Sequence, residues 1–140
     1  MFKKWEQGRI FMGRIAHGTD LLEELTRFCE KERITSGKIE AIGAVKRASL
    51  GFYNQESQKY QFITLDRPFE ICELLGNVSL KDDKPFVHAH ITLSDREGHV
   101  FGGHLAPNTI IFACEFIVYE FQGPPFTRVF DPETGLFLWG

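Results

Sequence analysis

The sequence predicts an α+β protein in which a large, twisted, mostly antiparallel β-sheet packs against one main α-helix. Three observations predict this class. A single segment, residues 20–33, repeats its apolar residues at helical spacing. Most of the remaining chain consists of apolar runs separated by short polar turns, a pattern typical of β-hairpins. Phenylalanine accounts for 14 of the 140 residues, and aromatic side chains are enriched in strands.

The first elements are a strand over 8–15 and the helix that follows it. Asp20 is predicted to cap the helix, because Glu23 lies three residues later as in a capping box. The helix is expected to end before Gly37. One amphipathic helix needs one apolar surface to lie on, which the strands must supply.

Apolar runs bounded by turn residues predict the other strands: 38–48, 48–53, 59–64, 69–80, 86–94, 99–102 and 110–121. Gly43 is a candidate bulge. The run 110–121 is nearly all apolar, which predicts a central strand covered on both faces. A turn over 131–135 separates two short ends. These strands carry more apolar residues than one helix can cover, so either the sheet curls on itself or the surplus surface meets another subunit.

Composition limits the function classes. Lys and Arg number 16 against 19 Asp and Glu, a net charge of −3, which argues against a stand-alone nucleic-acid binder. Cys29, Cys72 and Cys114 lie among apolar neighbours with no CxxC, which predicts buried, reduced thiols in a cytoplasmic protein. No apolar run reaches the roughly 18 residues of a membrane span. We therefore expect one domain over residues 1–140, with no membrane segment and no signal peptide.

The segment from Phe86 to Leu105, FVHAHITLSDREGHVFGGHL, carries most of the chemistry. Alternation along a strand places His88 and His90 on one face, with Cα atoms about 6.5–7 Å apart. His104 follows two glycines, which permit close approach, and its segment is expected to pair beside the 86–94 strand. Three imidazoles with a water suit zinc, and also Fe, Ni or Cu. The alternative is a set of histidines that only form structural hydrogen bonds.

Two carboxylates are candidates for outer partners of this site. Glu115 lies within an apolar strand, where a buried carboxylate needs a partner. Glu40 and Glu115 are also the candidate bases if the site is enzymatic. His99 has the opposite alternation phase from His104, so we do not place it in the site.

Five stretches together resemble the PPC (plants and prokaryotes conserved) domain family: GRIAHGTDLLEEL, SGKIEAIGAVKRASLGFY, RPFEICELLGNVSL, the histidine segment and TIIFACEFIVYEF. The resemblance covers nearly the whole chain, and the combination of HAH with GGHL is its most specific part. RPFEIC resembles an RFEIL-type stretch of plant members with a proline inserted. The chain looks like the stand-alone prokaryotic type without an AT-hook.

The resemblance implies a curved antiparallel sheet, a packed helix and a homotrimer, which would use the surplus apolar surface. In plant relatives the domain is an oligomerisation and protein-interaction module, and the AT-hook contacts DNA. His88, His90 and His104 match histidine positions of prokaryotic members. We therefore expect a trimeric interaction module, with itself and other proteins as partners, that holds a divalent metal, zinc first.

Two alternatives remain open. One is a metal-dependent enzyme of hydrolase type that acts on a small molecule through an activated water. The other is a DNA-associated regulatory protein, as the family's label suggests. The sequence contains no RGRP core and its net charge is negative, so we expect no DNA binding.

Overall fold

The structure, a computed structural model, describes all 140 residues. They form one helix and nine strands, joined by turns and short loops. The helix α1 spans Leu21–Glu32. The strands in chain order are β1 (Glu6–Ile15), β2 (Gly37–Asn54), β3 (Lys59–Leu65), β4 (Phe69–Lys81), β5 (Lys84–Ser94), β6 (Val100–Leu105), β7 (Ile110–Gln122), β8 (Arg128–Asp131) and β9 (Leu136–Trp139). The α+β class with a mostly antiparallel sheet is confirmed.

The helix forms where its cap and its apolar spacing predict. The Asp20 carboxylate accepts a hydrogen bond from the Glu23 backbone N–H at 3.0 Å, and Arg33 ends the helix in the left-handed conformation. Leu21 and Leu25 are fully buried against the sheet. No helix of the structure is long and apolar enough to cross a membrane.

The sheet curls on itself. Its strand order is β1-β7-β2-β4-β5-β6, with β3 paired to β2, and the end of β6 also pairs with β2. The sequence predicts two strands where the structure has one continuous 18-residue β2. Gly43 allows β2 to bend, because the register shifts beside it, its φ is 146°, and a Cβ there would lie 2.2 Å from the Ala113 carbonyl oxygen.

The sheet has one covered face and one open face. Alternate residues of β2, β4, β5 and β7 join the helix in a core of 23 buried residues. The opposite face carries the histidines of β5 and several exposed apolar side chains, and we call it the open face. The prediction that β7 is covered on both faces is wrong for the single chain, because Phe112 is 58% exposed and Glu115 is exposed.

Two further expectations need correction. Cys29 and Cys114 are buried, but Cys72 is exposed, because it follows the buried Ile71 on β4 and alternation turns its side chain to the opposite face. The strand predicted over 99–102 begins one residue later and continues to Leu105, so it includes His104.

The turn predicted over 131–135 does separate two short strands, β8 and β9.

Candidate metal centre

Strand pairing brings the three predicted histidines together. His88 and His90 lie on β5, and His90 is the direct Cα partner of His104 on the antiparallel strand β6. Paired residues point to the same face, so all three imidazoles lie on the open face. The prediction that the segment carrying His104 pairs beside the 86–94 strand is confirmed.

Glycines allow the strands around His104 to approach closely. A Cβ on Gly103 would lie 2.9 Å from the Gly51 carbonyl oxygen, and a Cβ on Gly51 would lie 3.3 Å from the His104 Cβ. Gly51 of β2 is also the Cα partner of His104. The backbones of β2 and β6 therefore lie in close contact at this junction, and this contact fixes the position of the His104 ring.

The three imidazoles are close enough to share one ion. One ring nitrogen from each residue lies within 4.8 Å of the others, and the ring centroids are 5.1–5.7 Å apart. His88 and His104 are half-buried and His90 is exposed. Since zinc binds imidazole nitrogen at about 2.1 Å, small side-chain rotations would bring three such nitrogens onto one centre.

Hydrogen bonding distinguishes these histidines from the other two. No ring nitrogen of His88, His90 or His104 takes part in a hydrogen bond, and His104 Nδ1 is buried without any partner. By contrast, His17 Nδ1 contacts the Phe112 carbonyl oxygen at 2.8 Å and His99 Nδ1 contacts Asp95 at 3.2 Å. A buried polar atom without a partner is costly unless something binds it, so the alternative of purely structural histidines is disfavoured.

The surroundings of His88 and His104 favour their neutral imidazoles, which metal ligation requires. Burial, with smaller contributions from Arg128 and the neighbouring histidines, lowers the pKa of His88 to about 4. Burial also lowers the pKa of His104, with His90 and Arg128 acting in the same direction. Both rings therefore have a free nitrogen lone pair at neutral pH.

Three residues around the histidines were not predicted from the sequence. Arg128 donates from Nη2 to Asn77 Oδ1 at 3.1 Å and from Nε to Ser79 Oγ at 3.0 Å, and so fastens the C-terminal hairpin to β4. Asn77 is the Cα partner of His88. Tyr60 stands beside His104, with ring centroids 4.9 Å apart.

The position of Asn77 opposite His88 could have been predicted from a turn in the sequence. Asp82 and Asp83 form a two-residue turn with φ of 52° and 59°, and that turn fixes the β4–β5 register so that Asn77 faces His88. Arg128 comes from a distant segment, and nothing in its local pattern points to the histidines.

The structure does not bring Glu40 or Glu115 to the histidines. The Glu40 carboxylate pairs with Lys38 Nζ at 2.5 Å, and this contact lowers the pKa of Glu40. Glu115 is exposed, and both carboxylates line a separate groove of about 780 Å³ on the open face, together with Met12 and Ile42. The reason is the strand order: Glu115 lies on β7, which β2 and β4 separate from β5.

Two cavities adjoin the histidines, and His88 lines both. The larger, about 590 Å³, includes His90, Asn77 and several aromatic side chains in its lining. The smaller, about 320 Å³, includes His104, Tyr60 and Arg128. The cluster thus stands between two spaces that a small molecule could enter.

The residues present fit a divalent metal of the zinc type. Three imidazoles are a known donor set of catalytic zinc sites, in which water or substrate takes the fourth coordination position. His88, His90 and His104 would hold the ion, which would supply a Lewis acid and an acidified water. A second group, Asp95, Glu97 and His99, fits less well because Arg67 already pairs with Asp95 at 3.2 Å.

Comparison with known proteins agrees with this fold. A family model described as the Plants and Prokaryotes Conserved (PCC) domain matches residues 2–122. A structure described as a metal-containing protein from Archaeoglobus fulgidus has 43% identity and a TM-score of 0.95, covering 99% of this chain and 98% of its own. A PPC protein from Pyrococcus horikoshii has 38% identity and a TM-score of 0.94, covering 100% and 96%.

Curated sequences add a relative of different size. The bifunctional protein GlmU of Synechococcus sp. (strain JA-3-3Ab) is 33% identical over 129 residues, which are 91% of this chain but 20% of the GlmU protein. The chain thus spans about a fifth of the length of that relative. On the match over residues 2–122, and as its histidine segment and strand motifs predict, the chain belongs to the Plants and Prokaryotes Conserved domain family.

Proposed function

We propose that this protein is a metal-binding module in which His88, His90 and His104 hold one divalent cation, zinc first. The observation that carries the proposal is the convergence of three imidazoles whose nitrogens have no other partner, one of them buried. Iron, nickel and copper also accept imidazole, so the donor set alone does not select among them. The description of the similar Archaeoglobus protein as metal-containing supports the proposal.

The test uses the full chain without a histidine tag. Elemental analysis after purification is expected to find a transition metal, and calorimetry of the metal-free protein is expected to show one zinc site per chain. His90→Ala should weaken zinc binding by more than about 100-fold, since even partners of ligands contribute 10- to 100-fold. His17→Ala is the matched control, because His17 is likewise exposed but bonds to Phe112. Equal zinc binding by the two variants would overturn the proposal.

A metal-dependent enzyme is the second candidate. The observation in its favour is that only three ligands converge, which leaves a coordination position open toward the adjoining cavities. A bound metal would supply an activated water. Asn77, which lines the larger cavity, and Arg128, which lines the smaller one, would orient what binds there. Glu40 and Glu115 line a separate groove and would take no part.

We also propose that three copies assemble as a ring. Two different apolar surfaces of the chain are open: the groove with Met12 and Ile42, which are 79% and 57% exposed, and the β2–β3 hairpin, whose Phe62 is 59% exposed. Strand β3 is exposed at six of its seven residues and pairs only with β2. Two unlike surfaces suit head-to-tail contacts, which close a ring when the rotation permits.

The assembly is testable by mass. Light scattering at micromolar concentration is expected to give about 48 kDa, three times the 16.1 kDa of one chain. A mass near that of one chain would contradict the ring without affecting the metal site. Since all three cysteines are free, we further propose that the protein works in a reducing compartment such as the cytoplasm.

A further inference from the structure

The larger cavity beside the histidines has the size of a small-molecule site. Its volume is about 590 Å³, and ligand sites commonly measure about 300–1,000 Å³. His88 and His90 both belong to its lining. Whatever occupies this cavity therefore reaches the ion that these histidines are proposed to hold.

The cavity has a flat aromatic wall. Phe126 and Trp139 stack with ring centroids 4.8 Å apart and planes inclined by 3°, and Trp5 lies 5.1 Å from Phe126. Trp139 is 44% exposed, so part of its ring surface is free. Aromatic rings prefer offset-stacked or edge-on partners, and such a wall accepts a flat apolar body.

Charge around the histidines favours an anion. The chain has 19 acidic residues, yet no carboxylate lines either cavity beside the histidines. Lys38 lines the larger cavity, and Lys81 and Arg128 line the smaller one. Glu40 already pairs with Lys38. The unbalanced positive charge beside the histidines therefore comes from Lys81 and Arg128 of the smaller cavity, and a divalent cation on the three imidazoles would add to it.

We propose that the larger cavity binds a small organic anion of the aromatic carboxylate class, with its anionic group toward His88 and His90 and its flat body against Trp139, which Phe126 supports from behind. The proposal rests on the proposed metal-binding function for its preference for an anion. The three observations that carry it are the volume, the stacked wall and the absence of carboxylates. It assigns a ligand class to this site and a binding role to the C-terminal hairpin, which supplies Trp139.

The experiment uses the zinc-loaded full chain and three probes: 2-naphthoate, 2-naphthalenemethanol and acetate. Both tryptophans of the chain line this cavity, so their fluorescence reports on its occupancy. Naphthoate is expected to quench this fluorescence and to bind at least about tenfold more tightly than the alcohol, which lacks the charge, or acetate, which lacks the flat body. A tenfold ratio corresponds to about 1.4 kcal/mol.

A matched pair of variants tests the wall. Trp139→Ala should weaken naphthoate binding at least about tenfold by calorimetry, a loss of about 1.4 kcal/mol, and should leave zinc binding unchanged. Phe130→Ala should change neither, because Phe130 is an exposed aromatic of the same hairpin that lines neither cavity.

The outcomes separate the two proposals. Zinc binding without naphthoate binding, or equal binding of naphthoate and the alcohol, overturns the ligand class and leaves the metal site standing. If Trp139→Ala and Phe130→Ala weaken naphthoate binding equally, the proposed stacking of the ligand on Trp139 is overturned. Failure to bind zinc overturns the metal-binding function, and this inference with it.

Discussion

Acidifying the metal-free protein from pH 7 to pH 5 is expected to reduce its free energy of unfolding through His88 in particular. This imidazole is half-buried between two cavities, and burial together with Arg128 lowers its pKa from 6.5 to about 4. The unfolded chain therefore binds a proton in this range that the folded chain does not. The stabilising contribution is fully present above pH 6.5 and is lost as the pH falls toward 4.

The magnitude follows from the displaced pKa. Lowering the pKa of His88 from 6.5 to about 4 on folding would reduce the free energy of unfolding by about 2 kcal/mol between pH 7 and pH 5. Because the side chain is only half-buried, solvent screening brings the expected loss to about 1 kcal/mol. His104, whose pKa is also lowered, adds a loss of the same sign. Carboxylates with lowered pKa, such as Glu120, release their stabilisation mainly at lower pH.

The assay is urea unfolding at pH 7 and pH 5 in the presence of a chelator, for the natural chain and for His88→Gln. The natural chain should lose about 1 kcal/mol more than the variant over this interval. Nuclear magnetic resonance of the imidazole protons should show His88 titrating near pH 4. Equal losses in the two proteins, or a midpoint for His88 near 6.5, would refute the reasoning.

Three further expectations concern packing, assembly and nucleic acid. Gly103→Ala places a Cβ 2.9 Å from the Gly51 carbonyl oxygen, so β6 must shift and calorimetry should show weaker zinc binding; unchanged affinity would contradict this. Met12→Glu should give the mass of a single chain with an unchanged circular dichroism spectrum, whereas Val100→Glu, also exposed but outside the groove, should keep the mass of the ring. Duplex DNA should not bind more tightly than about 1 μM at physiological salt, given a net charge of −3, and a gel shift below that concentration would refute it.

Local properties of the chain were predictable because they depend on neighbouring residues only. The cap at Asp20 and the apolar spacing that follows it define the helix to within one residue at each end. Alternation alone places His88 and His90 on one face, since successive side chains of a strand point to opposite sides. Even the approach of the strand carrying His104 could be expected from a short connection and two glycines.

Long-range properties depended on which distant strands pair and in what register. The closure of β6 onto β2 joins residues far apart in sequence, such as Gly51 and His104, and the β5–β6 register decides that His90 stands opposite His104. The order of the strands also keeps Glu115 away from the histidines. Arg128 reaches Asn77 across 51 residues of sequence. Local patterns in the chain thus specify the helix, most of the strands and the three histidines that are candidate ligands. What surrounds these histidines depends on how distant strands pair, because the pattern of a strand specifies a face but not the neighbour on that face.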